Sequence, residues 1–198
     1  ERLETSLKEE KIIKSSVDEI INLTKKLPSS LYIDNIEDSL LSKDLKKGYH
    51  NHLRIGTLNQ KSKRIPVLFD FFEHGGFTVK KVDNGEKAFA LMQNIVFRLL
   101  FSLPPGHLKI RIIDEDFGSS FQHLLNLPDD IKGSKVYFDE SEVLKLFEES
   151  KKRDSNIIFN KLKSSYKNLI NYNKVNEYEF EPIEIYLFSS FPDFIGEQ

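Results

Sequence analysis

The segment spanning residues 88–103 most limits how this chain folds, because its apolar residues lie on nearly every face of one helix. Asp83 and Asn84, just before it, are of the types that cap helix N-termini, and the Leu-Pro-Pro-Gly sequence of residues 103–106 ends it sharply. A helix that is apolar on most faces is buried. The chain is therefore expected to pack this helix inside a core.

Runs of strand type lie on both sides of this helix. They are residues 53–57, 65–71 and 77–82 before it, and residues 109–113 and 183–188 after it. Residues 139–173 show helical spacing, as two helices or as one interrupted helix. The order strand, buried helix, strand, helices, strand is that of a parallel α/β sheet, in which ligands bind at the carboxyl ends of the strands.

The N-terminal residues 1–27 predict an amphipathic helix that Pro28 ends, with Ile13, Val17 and Ile20 on its apolar stripe. This helix either packs on its own domain or forms a coiled-coil arm. We favour the first, because only about two heptads are clean and a coiled coil needs three or four. We expect residues 1–50 to be a helix with a polar connector that allows a short helix over residues 36–45, and residues 51–198 to be the main domain.

Charge excludes one class of protein. The 198 residues include 29 Lys plus Arg and 31 Asp plus Glu, and the formal charge of −2 excludes a wholly basic nucleic-acid binder. A local basic face is still possible, and the candidates for contact with phosphates are Lys151, Lys152, Arg153, Lys161, Lys163 and Lys167. The alternative is a solvated helix face, because acidic residues are interspersed with these cations.

Other function classes are excluded by what the sequence lacks. Cysteine is absent, which rules out disulfides, thiolate metal sites and cysteine nucleophiles. No apolar run approaches the roughly 18 residues of a membrane span. No motif predicts catalytic residues or a metal-ligand set. No export signal opens the chain, so we expect a cytoplasmic protein, and the start at Glu1 rather than Met suggests part of a longer one.

The turn over residues 82–88 lies where a phosphate-binding loop would lie, between a predicted strand and the buried helix. Such a loop needs two glycines, a lysine and a hydroxyl residue at fixed spacing. In one register Glu86 replaces the lysine, and in the other it replaces the second glycine. Asn84, Gly85 and Lys87 are the candidates for a degenerate phosphate loop. The alternative is a plain turn capped by Asp83 or Asn84.

Residues 114–116 form an acidic cluster after the strand at 109–113. Asp114 and its neighbours suggest a cation site, and a solvated loop is the more frequent outcome.

Several strings together resemble the degenerate first ATPase-like module of FtsK/SpoIIIE-type proteins. They are residues 53–56, 65–68, 98–106, 112–114 and 118–127, the pair Tyr172 and Asn173, and the pair Phe191 and Pro192. The resemblance covers about residues 50–194, most of the chain.

This resemblance implies a partial RecA-like P-loop fold with a three-layer sheet. It also implies an oligomeric bacterial parent protein that uses ATP and Mg²⁺ to move double-stranded DNA. The Gly-Lys-Ser/Thr loop and a strand ending in Asp-Glu are absent here. We therefore expect no cofactor in this chain, and a non-catalytic module that positions or regulates an active motor domain. The alternatives are a DNA-contacting part of the translocase, and an interaction domain that dimerises through residues 1–27.

Overall fold

The computed structural model describes residues 2–24, 48–49, 52–60 and 63–190 as a mixed α/β structure with an N-terminal helix and two small sheets. The chain divides into two compact units. One comprises Glu1–Thr78 with Phe97–Ser102, and the other comprises Val79–Val96 with Leu103–Gln198. The domain boundary predicted at residue 50 stays a prediction. None of the described helices has the length and apolar character needed to cross a bilayer.

The first unit contains the predicted N-terminal helix, α1 (Arg2–Thr24), which packs against an antiparallel hairpin. The hairpin strands are β1 (His52–Gln60) and β2 (Lys63–Asp70), with a bulge between Arg54 and Gly56. Both were predicted as strands, but they form a separate antiparallel sheet and not part of a parallel one. The short helix predicted within residues 36–45 lies outside the described residues.

A short helix, α2 (Phe71–His74), follows the hairpin directly. Asp70 caps it, since its Oδ1 accepts a hydrogen bond from the Glu73 N–H at 3.2 Å. No strand follows it, so the strand predicted over residues 77–82 is wrong. The side chains of Phe77 and Val82 are exposed, and Phe77 makes edge contacts with the rings of Phe69 and Phe71. Alternation alone misled here, because among the residues that the structure describes no strand pairs with this segment.

The apolar helix is α3 (Glu86–Ser102), and its burial is confirmed. Ala88, Ile95, Val96 and Leu99 are all buried, as is Leu103 just after it. The turn that ends the helix leads directly into the second sheet.

In the second unit, β3 (Leu108–Ile113) pairs in parallel with β4 (Ile183–Phe188), from Leu108 opposite Ile183 to Ile113 opposite Phe188. The predicted parallel arrangement is confirmed for this pair. The connection contains a 3₁₀ turn (Ser119–Leu124), α4 (Asp129–Lys132), α5 (Glu140–Asn156), a π-helical segment (Ile157–Leu162) and α6 (Leu169–Val175).

Helix α5 packs on one face of this parallel pair. Val143 and Leu146 of α5 form a buried cluster with Ile113 of β3. Asp139 caps the helix, because its carboxylate accepts hydrogen bonds from the N–H groups of Ser141 and Glu142. The predicted interruption is also confirmed: α5 passes into the π segment, which ends with Lys163 at a positive φ of 46°.

Candidate functional site

The turn predicted as a degenerate phosphate loop is a close-packed helix start. Gly85 has a φ of +78°, and its N–H donates to the carbonyl oxygen of Val82 at 3.1 Å. A Cβ at this position would lie 3.0 Å from Lys81 Cδ and 3.1 Å from Phe89 Cε2. A left-handed conformation and close packing within the chain therefore both explain the glycine.

Asn84 and Glu86 form a reciprocal cap at the start of α3. The Asn84 amide donates to Glu86 Oε1 at 2.7 Å, and the Glu86 N–H donates to Asn84 Oδ1 at 3.3 Å. The predicted capping by Asn84 is thus confirmed. Glu86 adds a negative charge at the positive end of the helix dipole.

Lys81 and Lys87 lie on either side of the Gly85 turn. The Lys81 amino group lies 5.5 Å from the centroid of the Phe89 ring, and the Lys87 side chain is exposed. The Glu86 carboxylate in the first turn of α3 would repel an anion bound there. The residues present therefore do not fit a nucleotide triphosphate with its magnesium ion.

Asp114, at the carboxyl end of β3, braces its own loop. It is fully buried. Its Oδ1 accepts from the Asp116 N–H and the Ser120 hydroxyl, both at 3.2 Å, and its Oδ2 accepts from the Ser120 N–H at 3.0 Å. The prediction of a solvated loop is right for Glu115 and Asp116, which are exposed, and wrong for Asp114.

Two exposed aromatic rings, which are not among the predicted site residues, lie beside this loop. The centroids of Phe117 and Phe138 are 4.6 Å apart, although 68% of Phe117 and 46% of Phe138 is exposed. Phe117 also has a positive φ of 54°, which is unusual for a bulky residue. Each ring has two acidic residues as neighbours in sequence, and that repeated pattern was a signal available from the sequence.

The predicted basic face is only partly free to contact phosphates. Arg153 lies 3.7 Å from Glu184 and donates to the Pro182 carbonyl oxygen, and Lys161 lies 3.7 Å from Glu181. The other four candidates, Lys151, Lys152, Lys163 and Lys167, are exposed. Within the described part of the chain, no carboxylate lies at ion-pairing distance from these four amino groups.

The π-helical segment places two large apolar side chains among these lysines. Ile158 is 55% exposed and Phe159 is 76% exposed. The segment is followed by Lys163 and Ser164, both left-handed with φ of 46° and 61°. π-Helical turns and strained non-glycine residues occur often at functional sites. Sequence periodicity cannot distinguish an α turn from a π turn, so this feature was missed.

A buried polar network joins α5 to the parallel sheet. The Glu184 carboxylate accepts from Arg111 at 3.0 Å and from the Tyr186 hydroxyl at 2.9 Å. The Tyr186 and Ser150 hydroxyls are 2.5 Å apart. Burial raises the pKa of Tyr186, so the phenol stays protonated and remains able to donate to Glu184.

The Tyr172 and Asn173 pair, which contributes to the family resemblance, holds the chain that leads into β4. The Asn173 amide donates to the Glu181 carbonyl oxygen at 2.7 Å, and Asn173 Oδ1 accepts from the Glu181 N–H at 2.9 Å. The Tyr172 hydroxyl donates to the Glu179 carbonyl oxygen at 3.1 Å. In this structure the pair therefore acts as a brace.

Among the residues that the structure describes, no three His, Asp or Glu side chains come together in a group that could hold a metal ion. Comparison of the chain with protein-family models, curated proteins and solved structures gives no match. The resemblance to FtsK/SpoIIIE-type modules therefore stays a prediction.

Proposed function

We propose that this chain is a non-catalytic, RecA-like module of an FtsK/SpoIIIE-type DNA translocase, and that it positions or regulates an active motor domain. Three features support the proposal: the resemblance of the sequence strings, the buried helix α3 ahead of β3, and the parallel pairing of β3 with β4 through a helical crossover. RecA-like folds use the same order of elements.

The reciprocal cap at the start of α3 carries the non-catalytic part of this proposal. A phosphate loop leaves backbone N–H groups open and adds a lysine and a hydroxyl. Here the Gly85 N–H already donates to Val82, the Glu86 N–H already donates to Asn84, and a carboxylate occupies the first turn. Nucleotide phosphates would have to displace these bonds against a negative charge.

Nucleotide titration tests this directly. We expect Mg·ATP to give no saturable binding to the chain, with any Kd weaker than about 1 mM, and no hydrolysis. Magnesium-dependent turnover by the chain would contradict the proposal, most clearly if Lys87→Ala abolishes it. Lys80→Ala is the matched control, because Lys80 is also an exposed lysine but lies outside the turn.

A second candidate function is self-association through α1, and exposed isoleucines favour it. Val17 is buried in the first unit, but Ile12, Ile13 and Ile20 are exposed. Ile13 and Ile20 are seven residues apart, so they share one face of the helix. A second copy of α1 would cover such a face.

Light scattering tests this second candidate. We expect Ile13→Glu with Ile20→Glu to reduce the molar mass to that of a monomer if α1 is the contact. Ser15→Glu with Asn22→Glu is the control, because it adds the same charges at the same spacing on the opposite face of the helix. An equal mass for both variants would reject α1 as the contact.

A further inference from the structure

One end of the second unit is acidic and aromatic. The loop after β3 lies beside the start of α5, because the Asp114 N–H donates to the Tyr137 carbonyl oxygen at 2.9 Å and the Phe117 ring contacts the Phe138 ring. The exposed residues here, which we call the acidic pole, are Glu115, Asp116, Phe117, Phe138, Asp139 and Glu140. The nearest cation in sequence, Lys135, pairs with Glu142 at 3.0 Å.

The other end is basic and apolar. Its exposed residues, which we call the basic pole, are Lys151, Lys152, Ile158, Phe159, Lys163 and Lys167. Lys151 and Lys152 each precede an exposed apolar residue by seven positions, so the charges and the apolar side chains lie on the same side of the helix. The Lys163 N–H donates to the Ile158 carbonyl oxygen at 3.2 Å, which places the end of the π segment beside them.

Carboxylates near the basic pole reduce its positive charge without reversing it. Asp154 lies 3.9 Å from Arg153, and Glu181 lies 3.7 Å from Lys161. These two acidic residues are thus paired with the two cations that are not part of the pole. Glu148 and Glu149 lie on α5 about one turn before Lys151 and Lys152 and offset part of their charge, whereas Lys163 and Lys167 keep the pole net positive.

The two poles cannot meet within one unit. They lie before and after α5, whose 17 residues span about 25 Å at 1.5 Å per residue. Each pole combines exposed rings or aliphatic side chains with unpaired charges, and the two carry opposite signs. Such patches mark interaction surfaces, and opposite charges around them favour association.

We propose that the acidic pole of one copy of this chain binds the basic pole of a second copy. The contact is head-to-tail: the surfaces that meet are different patches, so each copy keeps one unoccupied pole. Phe117 and Phe138 would pack against Ile158 and Phe159, with the lysines and carboxylates around them. This inference is independent of the nucleotide question, because it concerns neither α3 nor its cap.

DNA is the other occupant that the basic pole would accept, and charge complementarity favours a second copy. DNA would contact the lysines alone and leave the acidic pole and its two exposed rings uncovered. A second copy covers the two kinds of patch with one contact. Its strength should fall with salt, because its charges are at the solvent-exposed rim.

The test is charge reversal followed by mixing of full chains, measured by analytical ultracentrifugation over a range of protein and salt concentrations. One variant carries Glu115→Lys and Asp116→Lys, and the other carries Lys151→Glu and Lys152→Glu. Asp139 is left intact because it caps α5. Lys80→Glu with Lys87→Glu is the control, since both lysines are exposed outside the poles and the change of charge matches that of the lysine variant.

We expect the unmodified chain to associate as its concentration rises. Each reversed variant should associate with a dissociation constant at least about tenfold higher. The control should associate like the unmodified chain. Mixing the two reversed variants should restore association, because the unchanged basic pole of the first variant then meets the unchanged acidic pole of the second. Phe159→Ser should weaken association at any salt concentration.

Each of three results would overturn the proposal. The unmodified chain could stay monomeric under all these conditions, the reversed variants could associate as strongly as the unmodified chain, or the mixture of the two variants could fail to associate. Loss of association only in Ile13→Glu with Ile20→Glu would assign the contact to α1 instead. Binding of a short fluorescent DNA duplex that Lys151→Glu with Lys152→Glu abolishes, together with no association between copies, would assign the basic pole to DNA.

Discussion

The two ends of the parallel β3–β4 pair use polar residues in opposite ways. Near the amino ends, charged and polar side chains bond to other parts of the same unit. Glu184 binds Arg111, Arg153 and Tyr186, and Asn173 pairs with the backbone of Glu181. These contacts connect both strands with α5 and α6.

At the carboxyl ends the polar side chains bond mainly to their own loop or are exposed. Asp114 is buried, and the hydrogen bonds that its carboxylate accepts come from Asp116 and Ser120 of the following loop. Glu115, Asp116 and Phe117 are exposed. Ligands bind at the carboxyl edge of a parallel sheet. The difference therefore suggests that the amino end of the pair stabilises the fold and that the carboxyl end contacts other molecules.

The largest effect should follow from removing charge at the amino end. Glu184→Gln leaves Arg111 and Arg153 without their shared carboxylate, whose side chain is only 8% exposed. We expect a loss of about 2 to 3 kcal/mol in the free energy of unfolding, less than for a fully buried pair because both arginines are partly exposed. Urea denaturation measures it.

The matched control for this change is Glu179→Gln, because Glu179 is exposed and its side chain makes no ion pair among the described residues. It should change stability by less than about 0.5 kcal/mol. Equal stabilities for the two variants would show that the Glu184 network does not stabilise the fold, and the proposed contrast between the two ends would fail.

A smaller and more local effect should follow at the carboxyl end. Asp114→Ala leaves the Asp116 and Ser120 N–H groups without their acceptor, and we expect a loss of about 1 to 2 kcal/mol. Hydrogen exchange should show the amides of residues 115–120 exchanging faster, whereas those of β4 should be less affected. Asp116→Ala removes an exposed carboxylate and serves as the control. Equally faster exchange throughout β3 and β4 would show that Asp114 braces the whole sheet.

The sequence predicted the helices and strands better than it predicted the contacts between them. The strand over residues 183–188, the buried helix, the Asn84 cap and the N-terminal helix all depend on local patterns, and all are present. The ion pair between Arg111 and Glu184 joins residues 73 positions apart, and no local pattern encodes it. The same limit explains the basic face: spacing identifies exposed positions on α5, but the partners of Arg153 come from β4 and the residue before it.

The smallest expected effect is a change in how stability depends on pH. Measuring it tests the amino end of the β3–β4 pair without removing a charge. His107 is buried and stacks on Phe180 with ring centroids 3.8 Å apart. Burial lowers its pKa below the ordinary value of 6.5, because the protonated ring is poorly solvated there. The unfolded chain therefore takes up the proton at a higher pH than the folded chain does.

It follows that the contribution of His107 to stability is complete above pH 6.5 and decreases as the pH falls below that value. His107→Phe keeps an aromatic stack and removes the titrating group, so unfolding followed from pH 7.5 to 5 should lose part of its pH dependence. His123→Phe, at an exposed histidine, should leave that dependence unchanged. The same slope in His107→Phe and the unmodified chain would show that folding does not disfavour protonation of His107, and would remove this ring from the groups that make stability at the amino end depend on pH.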